Sequence, residues 1–289
     1  MRRQRFVREF EREHNTSKLC GLMEISKSGF YAWRNRPPSQ RDQADVELSE
    51  AIADIHSASR RTYGIPRVHG VLKQRGIRVG RKRVARLMHC GGLVGAHSRR
   101  KWRRGRPDVA PAPDLVQRNF SSRGINQLLV ADITEFKTLE GKLYLAGVKD
   151  LGSNAIVGWS MSNRQTTELV IDAVVMAVER RSMDGNAIHH SDKGCQYTSF
   201  GFTQRLSDLG LVQSFGSTGD CYDNAAMESF WATLKRELQH IHGITIWPSR
   251  AALKTAIFDY IEVFYNRQRN QERLGHLPPA IYEDKLLTA

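Results

Sequence analysis

The sequence predicts a mixed α/β sheet core preceded by small all-helical domains, and three observations carry that prediction. Beyond residue 127 the chain turns to three successive strand-like runs, LLVADITEF, YLAGVKD and AIVGWS (128–136, 144–150 and 155–160). Helical and strand patterns then alternate to about residue 238. Before the first strand, apolar residues recur at three- and four-residue spacing instead. With 289 residues, 40% of them apolar, the chain can build one catalytic-sized core with smaller attachments.

Taken in order, SKLCGLMEISKSGFYAWR (17–34) reads as a short helix, a turn near Glu24 to Ser26, and a second helix carrying Phe30, Tyr31 and Trp33. This makes residues 1–36 a helix-turn-helix-like segment. Pro37-Pro38 cannot continue a helix, so RNRPPSQRD is a break. Residues 45–96 show three helical stretches with Ile52 and Ile55, then Val68, Val71 and Leu72, then Val84, Leu87 and Met88 on their inner faces. A small DNA-binding bundle fits them. Residues 97–117 hold HSRRKWRRGRPDVAPAPD, a basic and then Pro/Ala-rich linker with too few apolar residues to pack.

The core is expected over 118–240. LEGK and LGSN look like hairpin connections between the three strands. They are followed by a helix (Thr166 to Arg181), a strand (AIHH, 187–190), a helix ended by Gly210 (Thr198 to Leu209), a strand (LVQSF, 211–215) and a helix (Asn224 to Leu238). Three antiparallel strands followed by α, β, α, β, α make the ribonuclease-H-like arrangement, with helices on both sheet faces. Residues 241–289 should add a helix packed outside the core, about Ala251 to Tyr265, with Leu253, Ile257, Tyr260, Ile261 and Phe264 in register. A loop with Pro278-Pro279 should close the chain.

Formal charge is +14, from 44 basic and 30 acidic residues. It is local: Arg60 to Arg106 hold 16 Lys and Arg and no Asp or Glu, while the remainder is slightly acidic. A polyanion partner is the reading this supports, with Arg81, Lys82 and Arg83 in the bundle and Arg99, Arg100, Lys101, Arg103, Arg104 and Arg106 on the linker as phosphate contacts. Cys20, Cys90, Cys195 and Cys221 lie far apart with no CxxC, which argues against a zinc module or a disulfide framework and for reduced cytosolic thiols. The most apolar run, LVIDAVVMAV, is short and holds Asp172, and the N-terminus has no apolar h-region. The expectation is a cytoplasmic protein with no membrane span.

Asp132 interrupts the most apolar strand, where a carboxylate needs a cationic or polar partner. Asp192 follows AIHH, at the strand end where α/β sheets present functional groups. Glu228 lies one and a half turns into its helix with Ala232 at i+4, so no helical ion pair explains it. Three carboxylates on three elements of one core can hold Mg²⁺ ions for an in-line phosphoryl transfer. His189 and His190 point to opposite sheet faces, which leaves His190 as a candidate supporting residue beside the site. Asp223, with Asn224 beside it, suits a helix N-cap better than a fourth ligand. Asp150, on a neighbouring strand, is the best alternative acid.

Thirty-five residues separate Asp192 from Glu228, and VADITEF, HHSDKGCQYTS and DNAAMESFWATLKREL resemble the D, D, 35, E signature of retroviral-integrase-like transposases. More narrowly, they resemble the OrfB-type DDE transposases of the insertion-sequence-three family. The resemblance extends through SKSGFYAW, the YGIPR-to-RVARLM segment, the core and a C-terminal YN…LG…PP…Y pattern. It implies Asp132, Asp192 and Glu228 as a metal-binding catalytic triad, two Mg²⁺ ions with Mn²⁺ as a substitute, and Lys235 as a contact to the donor DNA end. It also implies cleavage at terminal inverted repeats, strand transfer into target DNA, a homodimer or higher assembly, and an OrfA product or OrfA-OrfB frameshift fusion as partner. Leu129 stands where the family usually has Trp, Gln271 where His is common, and Ser217 and Thr218 occupy an often basic segment. None of these removes a metal ligand. Two alternatives stay open: a ribonuclease-H-like nuclease that only hydrolyses, and a non-catalytic domesticated DNA-binding protein.

Overall fold

The computed structural model describes residues 3–97, 124–183, 185–215 and 225–288, divided between two compact units, Met1–Ala51 and Ile52–Ala289. The linker positions Arg99, Arg100, Lys101, Arg103, Arg104 and Arg106 lie outside the described residues, as do Ser217, Thr218, Cys221, Asp223 and Asn224.

The first unit contains α1 (Arg3–Phe10), α2 (Thr16–Leu22) and α3 (Lys27–Arg34). Asn15 Oδ1 caps α2 by accepting from the Ser17 amide at 2.8 Å, and Ser26 Oγ caps α3 by accepting from the Gly29 amide at 3.0 Å. Between the two caps Glu24 turns the chain with φ 53°. Val7, Leu19, Cys20 and Phe30 form the core of this small bundle. Helix α1 was not read from the sequence, because its apolar stripe is only Phe6, Val7 and Phe10 among charges.

Helix α4 (Gln40–Ala58) begins directly after the Pro37-Pro38 break, where Ser39 Oγ accepts from the Asp42 amide at 3.1 Å, and passes from the first unit into the second. It is followed in the basic segment by α5 (Ile65–Gln74) and α6 (Arg81–Cys90), which pack on each other. Ile52, Ile55, Val68, Leu72, Val84, Leu87 and Met88 on these helices are buried.

The core sheet is built from β1 (Leu128–Thr138), β2 (Gly141–Asp150), β3 (Ile156–Ser162), β4 (Ile188–Ser191) and β5 (Val212–Phe215), in the order β3-β2-β1-β4-β5. The first three strands pair antiparallel, while β4 runs parallel to β1 and β5 parallel to β4. Connecting helices α7 (Thr167–Glu179), α8 (Phe200–Asp208) and α9 (Ala225–His242) complete the ribonuclease-H-like fold. Leu129, Ala131, Ala146, Val148 and Val157 face α7 and α8, where Leu169, Val170, Ala173, Val174, Phe202 and Leu206 cover them. Leu129 is fully buried there. Gly158 lets α7 lie against β3, since a Cβ at that position would meet the Ala173 carbonyl oxygen at 2.1 Å. Helix α9 covers the other face.

The C-terminal region departs from the sequence reading in two ways. The expected single helix is α10 (Arg250–Phe258) continued by a π-helical turn, Asp259–Tyr265, and the residues expected in register, Leu253, Ile257, Tyr260, Ile261 and Phe264, are buried. A 3₁₀ turn follows at Glu272–Leu274, and the closing loop is instead a helix, α11 (Pro279–Leu287). Proline at the first helical position lacks only a donor that has no intrahelical partner anyway, so Pro279 starts a helix where it looked like a breaker. Among the described residues no helix is long and apolar enough to cross a membrane.

Candidate active site

The sheet register positions the two aspartates. In the parallel β1–β4 pairing Leu128, Leu129 and Val130 lie opposite Ile188, His189 and His190. Carrying this pairing two residues further sets Asp132 level with Asp192, the first residue after β4. Adjacent strands lie about 4.8 Å apart, so the register brings the two acids side by side. Both charges reach Tyr197: burial first, and then Asp132 and Asp192, push its phenol well above the usual tyrosine range.

Each acid is oriented. Asp192 is exposed and its Oδ1 accepts from the Gly194 amide at 3.0 Å. Asp132 is half-buried, and its Oδ2 accepts from Trp231 Nε1–H at 2.9 Å. Its partner on β2 is Gly147, and a Cβ on Gly147 would meet Trp231 Cη2 at 2.7 Å. A side chain there would hold α9 away from the sheet, so the glycine permits the bond from Trp231 to Asp132.

Glu228 sits three residues before Trp231 on α9. Residues at i and i+3 are neighbours on one helix face, so the helix that Trp231 ties to Asp132 also carries Glu228 to this side of the sheet. Among the described residues α9 begins at Ala225, with Glu228 in its first turn. An acid in the first turn complements the helix dipole. Glu228 is exposed, and among the described residues no three His, Cys, Asp or Glu side chains converge into a metal cage. Asp132 and Asp192 thus both lie near Tyr197, and Trp231 ties the glutamate's helix to Asp132.

The remaining candidates separate clearly. His189 is fully buried against Tyr197 and Phe202 with both ring nitrogens unpartnered, and burial pulls it down to about 4. His190 lies on the other face, level with Val130, with Nδ1 3.0 Å from Ser214 Oγ of β5. Lys235, four residues after Trp231, is exposed, with its ammonium 5.2 Å from the Phe136 ring centroid. Burial lowers its pKa, and the nearby Glu135 and Asp132 charges oppose that shift. Asp150 is a turn residue: its carboxylate accepts from the amides of Asn126, Gly152 and Ser153 at 3.0–3.2 Å and from Ser153 Oγ–H at 2.7 Å. Gln271 is buried, and its Oε1 accepts from Asn154 Nδ2 at 2.9 Å. Arg81 and Lys82 are exposed on the first turn of α6, with Arg83 half-buried beside them. Cys20, Cys90 and Cys195 are free thiols.

Two residues near the site escaped the sequence reading. Trp231 was given no role, although its spacing from Glu228 was a usable signal. Lys149, on the α9 face of β2, is buried and donates to the Ala226 carbonyl at 3.3 Å, two residues before Glu228. Burial first, and then Arg273 and Arg269, bring its pKa down to about 7.

A ribonuclease-H-like sheet presenting paired aspartates beneath an acid-bearing helix defines the integrase-core class. Family models agree: two described as integrase core domain match residues 123–221 and 228–287, and one described as HTH-like domain matches 43–101. Over 271 residues the chain is 40% identical to the insertion element IS600 uncharacterized 31 kDa protein of Shigella sonnei, covering 92% of this chain and 98% of that protein. Over 288 residues it is 36% identical to transposase InsF for insertion sequence IS3A of Escherichia coli (strain K12), covering 98% of both. The HTLV-2 integrase catalytic core domain, solved in complex with magnesium, aligns with TM-score 0.44 and 17% identity over 56% of this chain and 99% of that one. The chain belongs to the IS3 family of insertion-sequence transposases.

Proposed function

We propose that this transposase cleaves at the ends of its element and joins the exposed 3′-hydroxyl to target DNA, with Asp132, Asp192 and Glu228 as the catalytic, metal-binding acids. The observation that supports the reading is the β1–β4 register, Val130 opposite His190, whose continuation brings Asp132 level with Asp192, together with the bond from Trp231 on the Glu228 helix to Asp132. An all-carboxylate donor set suits a hard divalent cation, Mg²⁺ with Mn²⁺ as a substitute, and two ions match three acids. When bound, such ions stabilise the attacking and leaving oxygens of an in-line displacement.

The chain's own residues hold the geometry. Trp231 and Gly194 each orient one oxygen of an aspartate, so the acids do not have to reorganise during reaction. In the first step a water oxygen forms a bond to phosphorus at the element end and the 3′-oxygen leaves as a hydroxyl. In the second step that hydroxyl attacks a target phosphodiester, one P–O bond forming as another breaks, with no covalent link to the protein. Lys235 serves as a contact to a donor-end phosphate, at the far end of the α9 face that carries Glu228. Arg81, Lys82 and Arg83 with the 99–106 arginines and lysine bind phosphates independently of sequence, and His190 supports the strand before Asp192. Assembly as a homodimer or larger on paired inverted repeats, with an OrfA product or OrfA-OrfB fusion, in the bacterial cytoplasm, completes the reading.

The test is incubation of the full chain with labelled inverted-repeat DNA and Mg²⁺. Asp192→Asn should abolish both products while leaving the melting temperature unchanged. Cleavage by that variant at the wild-type rate would refute the site, and cleavage by the wild type without strand transfer would make the protein a nuclease.

A further inference from the structure

Within the second unit, the corner between α4 and α5 grips the catalytic helix from behind. Arg60 and Arg61 are consecutive non-glycine residues in the left-handed region, with φ 54° and 62°. Such backbone persists only where its surroundings hold it, and it marks places where function is built. Several contacts leave this corner within eight residues. Arg60 pairs through both guanidinium ends with Asp259 of the π-helical turn. The Arg61 carbonyl oxygen lies 2.8 Å from His240 Nε2 on α9, and Tyr63 O–H donates to the Gln268 carbonyl at 3.3 Å. Arg67 Nη1 lies 3.4 Å from Glu237 Oε1, also on α9.

Glu237 is the centre of this contact. It is completely buried, Arg269 binds it bidentately at 2.9–3.2 Å, and Tyr260 O–H donates to it at 2.7 Å. A buried carboxylate needs such partners to remain charged, and here they come from the C-terminal segment and from the basic bundle. Glu237 lies nine residues after Glu228, which on an α-helix is about 13 Å along a stiff rod. Trp231 fixes the rod to Asp132, and the Glu237–His240 end is held by the basic bundle. The same face of α5 carries Gly70, where a Cβ would meet the His276 ring at 2.4 Å. Arg60 and Arg67 thus belong to the basic run by sequence but are used internally.

We infer that Arg67, through Glu237, is a positioning residue for the catalytic helix, and that the Arg60–Arg67 corner transmits DNA engagement by the basic bundle to the Glu228 end of α9. The inference rests on the transposase reading for its effect on rate, and on geometry alone for its effect on α9. The chemistry it couples is phosphate binding by the bundle to alignment of the acids.

The experiment uses the full chain with Arg67→Met, which removes the charge at similar length, and Arg67→Lys, which restores it. Neither touches the Glu237–Arg269–Tyr260 contacts. With Arg67→Met, the end-cleavage rate at saturating DNA should fall about 2- to 30-fold, the range for coupling residues remote from the ligand, with DNA affinity within about twofold of wild type. Amide hydrogen exchange in residues 228–235 should rise, and Arg67→Lys should recover part of both effects. Asp259→Asn probes the corner from its other side and should raise the same exchange without altering any residue of the bundle. A loss of affinity with an unchanged rate would make Arg67 a DNA contact and overturn the inference, as would unchanged exchange in both variants. Absence of end cleavage by the wild type would refute the transposase reading, while the exchange comparison would still decide the coupling.

Discussion

Gly147 offers the sharpest test of how α9 is seated. Replacing it by alanine puts a methyl 2.7 Å from Trp231 Cη2 and 3.2 Å from Met227 Cε, both inside contact distance. Met227 and Trp231 are buried on the sheet, at 0% and 6% exposure, so neither ring nor thioether can swing into solvent. Overpacking of this kind costs about 1–3 kcal/mol, which for a unit of this size lowers the melting temperature by roughly 2–10 °C. The indole must shift to make room, and its 2.9 Å bond to Asp132 lengthens. A double-mutant cycle with Trp231→Phe separates the effects, because phenylalanine lacks the clashing atom as well as the donor. Denaturant unfolding of the four proteins should show the pair less destabilised than the sum of the single variants by about 1 kcal/mol or more. Additivity within about 0.5 kcal/mol would refute the claim that Gly147 exists to admit Trp231.

Further predictions concern buried groups. Lys149→Met should stabilise the protein at pH 6: the folded pKa of about 7 lies below the ordinary lysine value, so the folded state bears a penalty below pH 7 that fades as pH rises toward 10.5. That penalty is on the order of 5 kcal/mol at its largest, and denaturant melts at pH 6 and pH 9.5 should show the gain shrinking at the higher pH. His189, held near 4 by burial, should cost stability as pH falls from 6.5 to 4, up to roughly 3 kcal/mol; His189→Phe should flatten that slope in the same assay. Asp150→Ala should lower stability by about 3 kcal/mol, since four donors lose their acceptor. A purified folded fraction of that variant should retain Mg²⁺-dependent end cleavage, unlike Asp132→Asn; loss of cleavage with stability intact would return Asp150 to the site.

Much of the molecule was legible because it rests on local pattern. The three strand runs, the α7 stripe of Val170, Ala173, Val174 and Ala177, and the positions Ile52, Val68 and Val84 declare themselves by pattern, and the α7 stripe and these three positions are buried. Helix α1 and helix α11 were missed for local reasons as well: one has too few apolar residues to show a period, and the other starts on a proline that resembles a break. The assignment of His189 to packing and of His190 to the site's side follows from strand alternation alone, and the register agrees.

The sequence by itself determined the element order, the acids' identities and their 35-residue spacing, because these are properties of the chain. Tertiary structure decided which carboxylate is a ligand candidate and which a turn residue: Asp150 and Asp132 both lie on apolar strands, and only pairing shows one capped by three amides and the other facing Trp231. It also decided what the basic residues are for. Charge density along a chain cannot separate an arginine that meets a phosphate from Arg60 or Arg67, which meet Asp259 and Glu237. Those carboxylates lie 199 and 170 residues away in sequence, and folding alone brings them within reach.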